Sequence, residues 1–270
     1  MVTFPCAKIN LALRVLDKRP DGYHNIETLF YPVTSLCDIL EFIPAAQTSL
    51  RVIGKEIVGK QYDNLVMRAF RLLQKEYGLP PVAVCLRKVI PIGAGLGGGS
   101  SDAAAMLLML NNWFELQLTE EQLSAYASQL GADCAFFIHN RVAYASGIGN
   151  IFTDVPLSLA NYHLLIVTPD INVSTVEAYA EVQPQVWEKS LQELITLPVN
   201  RWKECWKNDF EPSVFARHPE LAQIKATLYE LGALYAAMSG SGSSVFGIFS
   251  APVPPTSLCA LPFPHTLCKL

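Results

Sequence analysis

The run Gly93-Ala94-Gly95-Leu96-Gly97-Gly98-Gly99-Ser100-Ser101-Asp102 places five glycines within seven residues and leads directly into an alanine-rich segment with helical character. Backbone N–H groups in such a loop, together with the N-terminus of the following helix, can converge on an anion. Phosphate is the natural guest. Side chains at the glycine positions would hold phosphate oxygens away from the amides, and several of these positions suit a positive φ. Ser100 and Ser101 add hydroxyl donors, and Ser101 is a candidate oxygen ligand for a phosphate-bound magnesium ion. A flexible linker or a plain helix cap is the bland competitor, but a linker would not lead straight into a helix that is apolar nearly all round. The spacing Gly93-x-Gly95-x-x-Gly98 also satisfies the dinucleotide fingerprint. That fingerprint belongs in a βαβ unit with an acidic residue about 20 positions on, whereas here one helix continues into another. A Walker A loop is excluded because neither Gly54-Lys55 nor Gly59-Lys60 is followed by Ser or Thr.

Three shorter segments carry further candidate chemistry. In Pro5-Cys6-Ala7-Lys8-Ile9-Asn10, a cation and an amide alternate with apolar residues, so Lys8 and Asn10 share one face of a strand. Leu130-Gly131-Ala132-Asp133 sets a carboxylate just past a helix stop and ahead of Phe136-Phe137. Ser239-Gly240-Ser241-Gly242-Ser243-Ser244 is a second small-residue loop, between two strand-like segments. Taken singly, each has an ordinary structural explanation, since solvated charges are the usual case. Their occurrence beside the glycine loop is what points to a site.

The elements that must position these residues read as a mixed α and β chain. Strands are expected at Ala7 to Leu16, Ile39 to Ile43 and Val82 to Leu86, with a turn at Asp21-Gly22. Leu65, Ala69, Leu72 and Leu73 make Asn64 to Tyr77 an amphipathic helix that Gly78 ends. A buried central helix runs from about Ser101 to about Leu110. Thr119 to Leu130 opens on Thr119-x-x-Gln122, a capping box with Gln in the place of Glu. Further strands are expected at Tyr162 to Thr168, Leu234 to Met238 and Val245 to Phe249. Helices are expected at Val173 to Ala180, over the polar, tryptophan-bearing stretch Val186 to Asn208, and at Glu220 to Leu231. The tail from Ala251 holds five prolines and reads as mostly loop. The texture resets after Ile148-Gly149-Asn150, which suggests two domains, 1–154 and 155–270.

Bulk properties bound the function. With 24 acidic and 20 basic residues there is no broad positive field for nucleic acid. Seven cysteines form no Cys-x-x-Cys pair and read as reduced, mostly buried thiols of a cytoplasmic protein. No apolar run approaches the roughly 18 residues of a membrane span, and no leader peptide is expected.

The order of Pro5-x-Ala7-Lys8-x-Asn10-Leu11, then Pro91-x-Gly93-x-Gly95-Leu96-Gly97-Gly98-Gly99-Ser100-Ser101-Asp102, then Ser239-Gly240-Ser241-Gly242 resembles the GHMP kinase superfamily from end to end. Arg19-Pro20-Asp21-Gly22-Tyr23-His24, with Leu130-Gly131-Ala132-Asp133, resembles the branch of that superfamily whose acceptor is 4-diphosphocytidyl-2-C-methyl-D-erythritol in non-mevalonate isoprenoid synthesis. The resemblance implies an α+β fold of two domains, the first like domain 2 of ribosomal protein S5 and the second ferredoxin-like. It implies ATP and Mg2+ as cofactors, and phosphorylation of the acceptor's 2-hydroxyl. The catalytic pair it implies is Asp133, accepting the hydroxyl proton, and Lys8, offsetting charge on the γ-phosphoryl group. Pro91, Gly93, Gly95, Leu96, Gly97, Gly98, Gly99, Ser100 and Ser101 match the ATP loop, with Asn64 and Lys88 as outlying ATP contacts. Asn10, Tyr23, His24, Thr175, Gly240 and Ser241 match substrate positions, Tyr23 and His24 being the cytidine pair. A helix N-cap would equally account for Thr175. Cys134-Ala135 departs from the relatives' Val-Pro. The expected partner is a small molecule, without nucleic acid or membrane, on a monomer or weak homodimer.

Three other readings stand beside this one. A related kinase of mevalonate, homoserine or a sugar is separated by Gly22-Tyr23-His24, and a non-catalytic nucleotide-binding module by the retention of Lys8 and Asp133. A nicotinamide-dependent oxidoreductase rests on the glycine spacing alone.

Overall fold

A computed structural model of the chain describes residues 1–55 and 63–270, so Gly59-Lys60 lies outside the described residues. In chain order the described strands are β1 (Val2–Thr3), β2 (Cys6–Lys18), β3 (His24–Cys37), β4 (Ile39–Pro44), β5 (Ser49–Gly54) and β6 (Val82–Lys88). They continue with β7 (Ala143–Ser146), β8 (Ile151–Asp154), β9 (His163–Val167), β10 (Tyr235–Met238), β11 (Val245–Phe249) and β12 (His265–Lys269). The helices are α1 (Leu65–Tyr77), α2 (Gly98–Trp113), α3 (Glu120–Leu130), α4 (Cys134–His139), α5 (Thr175–Ala180), α6 (Val199–Cys205), α7 (Glu211–Arg217) and α8 (Pro219–Glu230). The chain is thus α+β, and no helix among the described residues is long and apolar enough to cross a membrane. Two compact units emerge, one of Met1–Ala7, Leu36–Ile92 and Gly97–Arg141, the other of Lys8–Ser35, Gly93–Leu96 and Val142–Leu270.

In the first unit the strands order β1-β4-β6-β5. Leu40 and Phe42 of β4 lie opposite Leu86 and Val84 of β6, and β5 joins in parallel with Leu50 opposite Val84. These residues are buried and form one apolar face, as a period of two requires. The parallel β5–β6 pair needs a crossover, which α1 supplies. Local signals set the helix ends. The Asn64 side chain caps α1 through the Val66 amide, Gly78 follows at φ +65°, and Thr119 and Gln122 complete the expected capping box on α3. Helix α2 starts three residues earlier than expected and ends three later, because Gly97 at φ +71° is its N-cap. The weak helix propensity of Gly98 and Gly99 is offset by burial around the helix, including Phe42 packed 5.9 Å from Trp113.

The second unit contains the sheets β2-β3-β7-β8 and β10-β11-β9-β12. Its core gathers Leu13, Val15 and Ile26 with Leu165, Val167, Phe210, Leu221, Ile224, Leu228 and Met238. Three expectations need correction here. Of Val186 to Asn208 only Val199–Cys205 is helical. The tryptophans in that segment reflect packing, with Trp202 stacked 3.8 Å from Trp206 and Arg14 lying 4.1 Å over Trp187. The proline-rich tail is not mainly loop, since it forms a 3-10 turn at Pro255–Ala260 and the edge strand β12 on β9. The seven thiols are all free, but only Cys6, Cys134 and Cys268 are buried and Cys259 is exposed.

Candidate active site

Strand β2 is buried along both faces from Cys6 to Val15, so Lys8 and Asn10 sit in the interior of their unit. They share one face as the alternation predicts, and Lys8 Nζ donates to Asn10 Oδ1 at 2.6 Å. The Asn10 main-chain amide donates to Ser239 Oγ at 3.2 Å, and Ser239 Oγ donates to the Gly95 carbonyl at 2.9 Å. One serine hydroxyl therefore ties β2, the glycine loop and the late small-residue loop together. Gly240, at φ +57°, is closely approached by the site. A Cβ there would lie 3.3 Å from Asn10 Oδ1 and 3.5 Å from Lys8 Nζ.

In the glycine loop, three successive carbonyls are already committed. Ala94 accepts from the Ser244 amide, Gly95 from Ser239 Oγ and Leu96 from the Lys8 amide. The amides of Gly98, Gly99 and Ser100 are the first of α2, where no intrahelical acceptor exists, and Gly97 has no side chain to cap them. This is a cradle of N–H groups fitted to an anion. Gly95 sits at φ +75°, and a Cβ there would overlap the Ser239 carbonyl and approach Gly242 O to 3.1 Å. Gly95→Ala is accordingly expected to cost at least about 2 kcal/mol, combining left-handed strain with the clash, as read by thermal unfolding. Pro91 and Leu96 frame the loop, and Leu96 is buried.

Lys88, at the end of β6, is buried and bridges two buried carboxylates. Its Nζ contacts Asp38 Oδ2 and lies 2.7 Å from Asp102 Oδ2. Asp38 also accepts the amide of Ile90 at 2.9 Å and that of Val89. Both ends of the segment bearing the loop are thus pinned within one unit, by Lys88 before it and Asp102 after it. Burial, with Asp38 adding and Lys88 opposing, pushes the Asp102 carboxyl up from 3.8 to about 7. A carboxyl that binds its proton more tightly when folded contributes stability that is complete at low pH and declines as pH rises toward about 7. Asp102→Asn removes that decline. The thermal midpoint of the variant should gain on that of the parent as pH is raised from about 5 to about 8; a flat or shrinking difference would contradict the assignment.

Asp133 is the N-cap residue of α4, yet its side chain makes no capping bond to that helix. The sequence reading places no helix here, yet one begins at Cys134. Burial pushes the Cys134 thiol up to about 11, against a weaker lowering by its hydrogen bond with Ser100. The thiol beside the carboxylate is therefore neutral and no rival nucleophile. Ser101 is buried in the first turns of α2. Among the described residues no group of three His, Cys, Asp or Glu could hold a metal. A hydroxyl oxygen such as that of Ser101 is a donor of the kind that a phosphate-bound magnesium ion takes. Asn64 spends its side-chain oxygen on capping α1.

Tyr23 and His24 follow a tight turn. Asp21 accepts the Tyr23 amide at 3.1 Å and Arg19 Nε at 3.0 Å, and Gly22 takes φ +87°. Tyr23 is 61% exposed, which leaves its ring available for stacking. His24 stacks on Tyr179 at 4.9 Å between centroids. Burial, then Lys18, lowers the His24 pKa below 6.5, leaving a neutral ring with one donor and one acceptor edge. Thr175 Oγ1 lies 3.5 Å from Ser241 Oγ, so these two are brought together. The N-cap of α5 is Ser174, bonded to the Glu177 amide, which removes the capping explanation for Thr175.

Several participants escaped the sequence reading. Asn208 Nδ2 donates to the carbonyls of Met238 and Gly240 at 2.7 and 2.8 Å and so fixes the late loop. Ser239, Thr28, Tyr179 and Asp38 also touch predicted residues. All but Ser239 lie outside the recognisable motifs. Asp102 stands within one, but nothing in its position announces a buried ion pair.

The profile of the GHMP kinases N terminal domain matches residues 64–141, and that of the GHMP kinases C terminal domain matches residues 198–255. A Bacteroides thetaiotaomicron protein named 4-diphosphocytidyl-2-C-methyl-D-erythritol kinase is 56% identical over 253 residues, covering 92% of each chain. A crystal structure of 4-(cytidine 5'-diphospho)-2C-methyl-D-erythritol kinase superposes with a TM-score of 0.82 at 33% identity, covering 99% of this chain and 98% of that one. A homoserine kinase from Cytophaga hutchinsonii shares the fold alone, with a TM-score of 0.68 at 15% identity over 97% of this chain and 93% of its own. The cradle, the Tyr23-His24 turn and the degree of identity converge: this chain belongs to the 4-diphosphocytidyl-2-C-methyl-D-erythritol kinases within the GHMP kinases.

Proposed function

We infer that the chain transfers the γ-phosphoryl group of ATP to the 2-hydroxyl of 4-diphosphocytidyl-2-C-methyl-D-erythritol, giving the 2-phosphate and ADP in non-mevalonate isoprenoid synthesis. The observation that carries this reading is the 56% identity across 92% of both chains to a kinase of that name. Asp133 takes the hydroxyl proton as the acceptor oxygen attacks the γ-phosphorus, and Lys8 offsets the negative charge on the transferring group. The amides of Gly97, Gly98, Gly99 and Ser100 hold phosphate oxygens, and Gly93, Gly95, Leu96 and Pro91 shape the loop that presents them. Magnesium, when bound, neutralises phosphate charge, and Ser101 is the protein oxygen suited to hold it. Lys88 and Asn64 set the frame around the nucleotide. Their side chains are engaged with Asp38, Asp102 and the start of α1, which favours an indirect part.

The cytosine base stacks on Tyr23 and is read by the neutral edge of His24, which Tyr179 supports from behind. Asn10, Thr175, Gly240 and Ser241 line the acceptor side. The two family profiles fall on either side of residue 155, which supports 1–154 and 155–270 as the two family modules. A cytoplasmic monomer or weak homodimer suits the free thiols and the small-molecule substrate.

ADP release against a panel of alcohols tests the assignment. Turnover is expected with the cytidine-linked acceptor in the presence of magnesium and not with mevalonate, homoserine or a simple sugar. Turnover of mevalonate in preference to the cytidine compound would sink it.

A further inference from the structure

Thr28, on β3, is completely buried. Its hydroxyl lies 2.7 Å from the Ala12 carbonyl and 2.8 Å from Asn10 Nδ2. A carbonyl oxygen carries no hydrogen, so the single hydroxyl hydrogen of Thr28 goes to Ala12 and its oxygen can only accept. The group facing it must then be the NH2 of Asn10. That settles the orientation of an amide whose oxygen and nitrogen are otherwise interchangeable in shape. The opposite end, Oδ1, is directed to Lys8 Nζ at 2.6 Å. Three hydrogen bonds therefore run in one sense, from the Lys8 ammonium to Asn10, from Asn10 to Thr28, and from Thr28 to a main-chain carbonyl. Reversing the amide would set two donors against each other at Lys8 and leave a buried carbonyl against Thr28, each a buried mismatch.

We propose that Thr28 is a positioning residue for phosphoryl transfer, which fixes the Asn10 amide and through it aims the Lys8 ammonium. The proposal rests on the catalytic role assigned to Lys8. Thr28 touches neither ATP nor acceptor in this account. Its loss acts on the direction of a cation, which matters most when charge builds on the transferring group, so kcat should suffer more than either KM.

The test is steady-state kinetics with ATP and 4-diphosphocytidyl-2-C-methyl-D-erythritol on Thr28→Val, Thr28→Ser, Asn10→Ala, Asn10→Ala/Thr28→Val and Lys8→Met. Thr28→Val keeps the shape and loses the hydroxyl. It is expected to lower kcat by on the order of ten-fold to a hundred-fold while KM for ATP stays within about two-fold. Thr28→Ser should restore kcat to near the parent value. In the Asn10→Ala background, Thr28→Val should cost little more, because the residue it acts through is gone. Should Thr28→Val not fold, Thr28→Ala makes the same removal and carries the same expectation. An unchanged kcat in Thr28→Val, no recovery in Thr28→Ser, or an equal cost in the Asn10→Ala background each overturns the proposal. If Lys8→Met loses activity while Thr28→Val does not, only the positioning role fails. If Lys8→Met retains full activity, the catalytic reading of Lys8 itself fails.

Discussion

Asp133→Asn is expected to lower kcat by at least about 10²-fold while leaving ATP affinity within about two-fold of the parent. The substitution keeps size and hydrogen-bonding reach and removes the capacity to accept the acceptor's proton. Asp133 begins α4 without a side-chain capping bond. An unchanged thermal midpoint in the variant shows that a loss of rate reports chemistry and not folding. ATP affinity by calorimetry and kcat by coupled ADP release give the two numbers. A kcat within about ten-fold of the parent would remove Asp133 from the proton-accepting role.

The second large effect falls on stability. Lys88 is the cation shared by the buried carboxylates of Asp38 and Asp102. Lys88→Met keeps the length and apolar bulk of the stem and strands both acids. Removing one partner of a buried ion pair costs about 3–5 kcal/mol, because the charge left behind is neither paired nor solvated. Asp38 keeps its two main-chain donors from Val89 and Ile90, which softens its share of the loss. The destabilisation should be larger at about pH 8 than at about pH 5, since protonation relieves the stranded charge as pH falls. Adding Asp102→Asn should recover part of it. Urea unfolding of the parent, the single and the double variant decides this; a loss under about 1 kcal/mol would mean the cluster holds nothing together.

What the sequence disclosed follows from how local each determinant is. Helices α1 and α3 were legible to within a residue because Asn64, Gly78, Thr119 and Gln122 act on the turns beside them. The shared face of Lys8 and Asn10 was legible because a strand's period is two. Strand β3 went unread. Its central residues Ile26 to Tyr31 are buried on both faces, which erases alternation, and Pro32 reads as a breaker. Trp187 and Trp206 lie outside α6, because their placement answers to Arg14, Tyr235 and Trp202 across the second unit and not to a helical repeat. The site divides in the same way. Loop glycines, Lys8, Asp133 and the Tyr23-His24 turn sit in contiguous motifs. Thr28, Asn208, Tyr179 and Asp38 reach the predicted residues from 18 to 155 positions away, through contacts that only folding creates.

The central claim is that this chain phosphorylates the 2-hydroxyl of the cytidine-linked acceptor. Purified enzyme should be given ATP, magnesium and an equimolar mixture of 4-diphosphocytidyl-2-C-methyl-D-erythritol and mevalonate, and the products followed by phosphorus and carbon NMR. The account predicts a new phosphomonoester coupled to C2 of the methylerythritol unit, formed one-for-one with ADP, and mevalonate left unchanged. Phosphate appearing on mevalonate, or at another hydroxyl of the cytidine compound, would contradict it.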